Sequence, residues 1–246
     1  GWSLQQQFVQ TFVELEKTVE PEKIIEKPVE AHVDTISNNA EELVNAIYAS
    51  PEQRKSSTSW RSFSKTDKGN IRRLNEDAIL DRPDYGLWVV ADGMGGHEAG
   101  DLASRKIIKA LNTPINTASL EVSLKQVKTT IEQVNGELRE IASRNFEHQI
   151  IGSTVVTLIA GKEYFACLWA GDSRLYRLKD KKLIQLTVDH CEQEEEVLDL
   201  LKNDENTSLK QNNVITRAVG AFDALELDCQ ITDINSGDLF LLSSDG

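Results

Sequence analysis

The stretch Leu87-Trp88-Val89-Val90-Ala91-Asp92-Gly93-Met94-Gly95-Gly96-His97 decides how this chain is read. Its apolar half, rich in β-branched and aromatic side chains, specifies a strand. That strand ends on a carboxylate, Asp92, and Gly93, Gly95 and Gly96 then let the backbone turn tightly, exposing carbonyls and amides to an ion or a phosphate. A carboxylate at a strand end is a hard oxygen ligand of the kind Mg²⁺ and Mn²⁺ prefer. Taken alone, the same run equally describes an ordinary strand-to-helix connection whose glycines serve only chain reversal. The rest of the chain decides between them.

Upstream, Gly69-Asn70-Ile71-Arg72-Arg73-Leu74-Asn75-Glu76-Asp77-Ala78 sets a cation a few residues before two adjacent carboxylates. At the other end, Gly237-Asp238-Leu239-Phe240-Leu241-Leu242-Ser243-Ser244-Asp245-Gly246 is again an apolar strand delivering Asp-Gly. Between them stand Ala170-Gly171-Asp172-Ser173-Arg174 and Asn213-Val214-Ile215-Thr216-Arg217-Ala218-Val219-Gly220. In this order and spacing the motifs resemble the metal-dependent serine/threonine protein phosphatases of type 2C, the PPM family, over roughly residues 60 to 246.

That resemblance implies an α+β fold, a four-layer α-β-β-α sandwich of antiparallel sheets flanked by helices. It also implies metal-dependent hydrolysis of phosphoserine and phosphothreonine on proteins by a metal-bridged hydroxide, with two Mn²⁺ or Mg²⁺ ions. The chemistry agrees, because the substrate is dianionic and the leaving alkoxide poor, and two divalent ions both neutralise charge and supply hydroxide near neutral pH. By the same resemblance Asp92 bridges both ions, the Gly93 carbonyl binds one, Asp245 the other, and Glu76 and Asp77 bind directly or through water. Arg72 matches the phosphate-binding arginine, whose planar fork can hold two phosphoryl oxygens.

Each residue also has a plainer reading. Arg72 could pair with Glu76 on the surface, and Glu76 and Asp77 could solvate a strand start. Asp172 is read as a hydrogen-bonding turn residue beside Ser173 and Arg174. Ser173 has neither a G-x-S-x-G elbow nor a His-Asp relay to make it a nucleophile. Where many eukaryotic members carry a histidine after Asp-Gly, this chain has Met94, a form resembling the bacterial branch. His97 is then a candidate to bind substrate or donate a proton, or else to cap a helix starting near Glu98. Asp189 and His190, in a motif of the type T-x-D-H-S with Cys191 in place of the serine, are read as supports for the base of a flap. Residues 191 to 212 would form that flap, and its acidity would either favour substrates with basic residues near the phosphosite or mark only a solvated helix face.

At 246 residues the chain can bury a substantial core. A net charge of −13 argues against nucleic acid or an anionic membrane surface as the main partner. Cys167, Cys191 and Cys229 are odd in number and widely spaced, which suits reduced core thiols better than a disulfide frame or a zinc site. With no long apolar span and no signal peptide, the expected compartment is the cytoplasm.

Residues 1–58 are read as an N-terminal extension and linker, the tail of an upstream domain, and residues 59–246 as the phosphatase domain. Leu4, Phe8, Phe12 and Leu15 follow a near-helical spacing over 2–16, and a second short helix is expected after Ser37 or Asn38 with Leu43, Val44 and Ile47 on one face. The stretches 20–30 and 50–58 read as linkers. Strands are expected at 60–66, 78–82, 87–92, 151–160, 163–170, 174–179, 182–186, 227–233 and 238–243. Long helices are expected from about Glu98 to Leu111 and over 120–141. Since the chain opens on Gly1 and stops inside a catalytic motif, a fragment lacking a further strand and metal-binding aspartate is expected.

Two functions stand beside each other at this stage. One is a bacterial phosphatase that reverses a protein kinase; the other is a pseudophosphatase, a binding module that holds a phosphoprotein or signalling partner. Retention of Arg72, Glu76, Asp77, Asp92, Gly93 and Asp245 favours the enzyme, since a binding module has no need of so much like charge in one place. N-terminal segments fused to bacterial phosphatases of this type are similar to those linked with type VI secretion, which makes components of that system candidate partners.

Overall fold

A computed structural model describes residues 8–17, 58–69, 73–145, 150–192 and 214–245. Among the described residues, eleven strands, all paired antiparallel, form two sheets. The first joins β2 (Thr58–Asp67), β1 (Phe8–Lys17), β11 (Leu239–Ser243), β8 (Arg174–Lys179) and β9 (Lys182–Gln185), in that order. The second runs β10 (Asp228–Asp233), β7 (Tyr164–Ala170), β6 (Val155–Ala160), β4 (Leu87–Met94) and β3 (Asp77–Arg82), with the short β5 (Gly152–Ser153) pairing the end of β4.

Strand β4 shows why an unbroken apolar run was needed. Leu87, Val89 and Ala91 face the helices, while Trp88 and Val90 face the other sheet, and none of them is more than 1% exposed. A strand buried on both faces loses the polar alternation of a surface strand. The helices α1 (His97–Leu111) and α2 (Leu120–Asn145) lie on the sheet of β3 and β4. They contribute Ala103, Ile107, Val127, Ile131 and Leu138, all fully buried. Between the sheets a second core holds Trp88, Phe165, Phe240 and Leu242, with the Phe165 and Phe240 rings edge-on at 4.7 Å. Asp81 on β3 ties the two sheets together, accepting hydrogen bonds from Ser62 Oγ, Ser64 Oγ and Trp88 Nε1 at 2.5, 2.7 and 2.9 Å.

The two antiparallel sheets and their flanking helices are the expected α+β architecture. Both described helices cover the same sheet. On the other sheet the register partners Phe12 and Phe63 are 45% and 63% exposed.

The near-helical spacing over 2–16 is overturned where the structure describes it. Phe8–Lys17 is a strand, and it sits inside the first sheet, pairing Phe12 with Leu241 on one side and with Phe63 on the other. Thr11 and Val13 point into the protein with no exposed surface and Phe12 points out, so the strand alternates without an apolar-polar alternation to reveal it. The second expected helix, near 37–48, and both linkers fall outside the described residues, apart from Thr58 at the start of β2. The expected strand 151–160 is split at Thr154 into β5 and β6. The β8–β9 hairpin turns at Asp180 and Lys181, with φ of 51° and 63°, as a two-residue turn requires.

Candidate active site

The strand pairing itself assembles the carboxylates. Asp77 opens β3 directly opposite Asp92 near the end of β4, so the two side chains share one face of the sheet. Glu76 precedes Asp77, and its carbonyl accepts the Gly93 N–H at 3.1 Å. Asn75 Oδ1 accepts the Asp77 N–H at 3.1 Å while its Nδ2 donates to Thr66 Oγ1 at 2.7 Å, which fixes this entry to the neighbouring strand β2. Glu76 and Asp77 are 3% and 5% exposed, so they do not serve as a solvated strand start.

Glycine lets the helix seat itself on the same edge. A Cβ at Gly93 would overlap the Gly100 carbonyl, so the first turn of α1 packs backbone to backbone on the end of β4. Gly95 and Gly96, with φ of 111° and 93°, make the turn between them. Gly96 is the N-cap of α1 and His97 its first residue, so His97 does not cap the helix.

Asp245 and Asp172 complete the cluster. Burial pushes the Asp92 carboxyl up to about 9, and the charges of Asp77 and Asp245, a hydrogen bond that protonated Asp92 donates to Asp245, and the charge of Asp172 push the same way. Burial and then Asp245 push Asp172 up to about 6. So much negative charge around a buried group suits a divalent cation, and every donor is a hard oxygen, as Mn²⁺ and Mg²⁺ require. Among the described residues no three acidic, histidine or cysteine side chains close on one point. Mg²⁺ usually keeps several waters, so ligation partly through water needs no closed cage of side chains.

Thr154 locks the cluster from behind. Its Oγ1 accepts the Asp92 N–H at 3.2 Å and lies 2.7 Å from Ser173 Oγ, and its own N–H donates to the Asp92 carbonyl at 2.8 Å. Ser153 pairs with Gly93 on β4 and exchanges two 2.9 Å hydrogen bonds with Val219. The Asn213–Gly220 motif is thereby tied to the same edge. Arg174 is held by both oxygens of Asp189 at 2.6–3.0 Å, and Cys191 bridges Ile215, so the two ends of the expected flap are stapled together. Residues 193 to 212 of that flap lie outside the described residues.

Of the residues singled out in the sequence, Glu76, Asp77, Asp92, Gly93 and Asp245 are brought to one edge. Arg72 lies outside the described residues, as does the side chain of His97. Asp172, read as a turn residue, is within electrostatic reach of Asp92 and Asp245; an Asp after a glycine turn carries no mark to distinguish the two roles.

Residues 71–246 match the family Protein phosphatase 2C. This chain belongs to the protein phosphatase 2C family. It is 31% identical over 194 residues to serine/threonine phosphatase stp of Listeria monocytogenes, covering 74% of this chain and 75% of that protein. Among solved structures it is similar to PppA, described as a key regulatory component of T6SS in Pseudomonas aeruginosa. The TM-score is 0.61 at 44% identity, covering 70% of this chain and 71% of that one. It is also similar to the catalytic domain of PstP in complex with two manganese ions, with a TM-score of 0.58 and 27% identity over 72% of this chain and 73% of that one. As a 2C-type phosphatase the protein is a metal-dependent serine/threonine protein phosphatase, acts on phosphoproteins and uses two Mn²⁺ or Mg²⁺ ions. These relatives are phosphatases by name and lend the binding-module alternative no support. No helix among the described residues is long and apolar enough to cross a membrane.

Proposed function

We propose that Asp92 is the ligand shared by the two ions, with the Gly93 carbonyl serving one, Asp245 the other, and Glu76 and Asp77 binding directly or through water. The observation that carries this is the cross-strand pair Asp77 and Asp92; burial, then the charges of Asp77, Asp245 and Asp172, hold the Asp92 carboxyl far above its ordinary range. When bound, two divalent ions neutralise phosphoryl charge and supply hydroxide near neutral pH. Arg72 binds the phosphoryl oxygens and leaves the carboxylates to the ions, and His97 contacts the substrate at the start of α1. The turn at Gly95 and Gly96 keeps the helix backbone close to the reacting edge.

In the cell the enzyme reverses a protein kinase in the cytoplasm. The 44% identity to PppA supports a component of type VI secretion as the phosphoprotein substrate. The catalytic domain is read as residues 59–246 with Phe8–Lys17 added to its first sheet, and the remainder of 1–58 as extension and linker.

Hydrolysis of p-nitrophenyl phosphate and of a phosphothreonine peptide is measured with Mn²⁺ and after complete chelation. Turnover that survives chelation overturns the two-ion reading. In a strain lacking the gene, phosphate should accumulate on a type VI secretion component; an unchanged phosphorylation pattern there overturns the partner.

A further inference from the structure

We propose that His190 is a positioning residue of the phosphatase site, whose Nδ1 holds the Gly171 amide and, through it, sets the Asp172 carboxyl against Asp92. The proposal rests on the reading of Asp92 as the centre of the site.

His190 is 4% exposed and stacks on Trp169, the ring centroids 6.0 Å apart and the planes 10° from parallel. It grips Gly171 twice: the Gly171 N–H donates to His190 Nδ1 at 3.2 Å, and the His190 N–H donates to the Gly171 carbonyl at 2.9 Å. A ring nitrogen that accepts a backbone N–H carries no proton, so the hydrogen sits on Nε2. Nε2 faces Asp228 Oδ2 at 3.2 Å, and Arg217 Nη1 donates to the other oxygen of Asp228 at 2.9 Å. Asp228 thus sets the tautomer and ring angle, and the Nδ1 lone pair is what the ring offers the active-site edge.

The Gly171–Ser173 turn has little freedom left. Gly171 has a φ of 107°, and a Cβ there would come within 2.6 Å of Thr154 Cβ and Cγ2, so the turn is pressed onto the residue that locks Asp92. Ser173 is bound to Thr154 Oγ1 on the far side of Asp172. Asp172 therefore sits between two fixed points, His190 acting on the residue before it and Thr154 on the residue after it. An apolar residue in place of His190 would leave the buried Gly171 N–H without its acceptor, and the turn would move to find another. A shift of a few tenths of an ångström in an outer support is felt at a metal site, where such partners alter affinity or activity by about 10–100-fold.

Two isosteres divide the ring. Asn places an oxygen acceptor near the position of Nδ1, and Gln places a donor near that of Nε2. In the full chain, His190→Gln should weaken Mn²⁺ binding by calorimetry and lower kcat on a phosphothreonine peptide by about 10–100-fold. The Gly171 amide should lose its hydrogen-exchange protection in the same variant. His190→Asn should stay within about threefold of the parent in Mn²⁺ binding and keep that protection. In an Asp172→Asn background, His190→Gln should cost little more, because both changes act through one carboxylate. Equal losses in both His190 variants that merely track a fall in Tm, or fully additive losses with Asp172→Asn, overturn the proposal. Asp92→Asn, measured in parallel, keeps the two readings apart: undiminished Mn²⁺ binding in that variant overturns the site itself, whereas loss there with a silent His190→Gln overturns His190 alone.

Discussion

Thr154 Oγ1 and Ser173 Oγ lie 2.7 Å apart, each in a residue only 1% exposed, and through that contact strand β4, which carries Asp92, and the turn carrying Asp172 become one unit. Thr154 Oγ1 also accepts the Asp92 N–H, so a single hydroxyl serves both the strand and the turn. Removing it with Thr154→Val keeps the shape but strands a buried hydroxyl and weakens the hold on an amide. We expect a loss of about 1–3 kcal/mol in urea unfolding. Ser173→Ala removes the partner instead and should cost about 1 kcal/mol, near the average net worth of one hydrogen bond. A Thr154→Val protein as stable as the parent would show that the hydroxyl bridge does not join the end of β4 to the turn carrying Asp172.

Asp92 and Arg72 should fail in different ways. Asp92→Asn removes the ligand read as common to both ions, and kcat should fall at least about a thousandfold, since the metal contribution is worth several kcal/mol. Arg72→Ala should raise KM for a phosphopeptide and leave Mn²⁺ binding near that of the parent. Calorimetric titration with Mn²⁺ separates them, and equal loss of affinity in the two variants would remove the division of roles.

The legible parts of this protein were those where one local rule dominated. β4 was readable because burial on both faces demands an unbroken apolar run, and the two long helices because Ala103, Ile107 and Leu111 on α1 and Leu120, Leu124, Val127, Ile131, Val134 and Leu138 on α2 all meet the core. The carboxylates could be named singly as motifs. Their meeting, with Asp77 opposite Asp92, is a matter of strand register, which pairs residues far apart in sequence.

β1 was misread because Phe12, one of the residues that set the helical spacing, points outward, whereas the buried Thr11 is polar. Its partners Leu241 and Phe63 are supplied by distant strands, and tertiary pairing overrode the local period. The grip of His190 on Gly171 spans 19 residues and has no local signal at all. A histidine beside an aspartate reads the same whether it props a turn or meets solvent.

Gly93→Ala probes the close approach of helix and strand. The added methyl would collide with the Gly100 carbonyl, a backbone group that cannot swing aside as a side chain can. Overpacking of this kind costs about 1–3 kcal/mol and occasionally more, and here it also displaces the carbonyl read as a metal ligand. Thermal unfolding should show the loss without Mn²⁺, and Mn²⁺ should restore less stability to this variant than to the parent. Unchanged melting would mean that α1 can move off β4 at no cost.

The elevated Asp92 carboxyl makes stability depend on pH in a direction opposite to that of an ordinary paired carboxylate. An unfolded aspartate releases its proton near about 3.9, whereas folded Asp92 keeps it up to about 9. Between those values the folded state binds the extra proton, so its contribution to stability is complete below about 3.9 and is lost as pH rises through the folded value. Asp172, raised to about 6, adds to the decline in the lower part of that window. In chelator, Tm should therefore fall between about pH 5 and about pH 8. Mn²⁺ binds the ionised carboxylates, so the increase in Tm it produces should be larger at the upper end, where less proton has to be displaced. Asp92→Asn deletes the titrating group, flattens the chelated profile and removes most of the Mn²⁺ increment. A chelated parent whose Tm rises with pH over this window, or an Asp92→Asn profile as steep as the parent's, would mean that Asp92 is not buried beside the charges of Asp77 and Asp245.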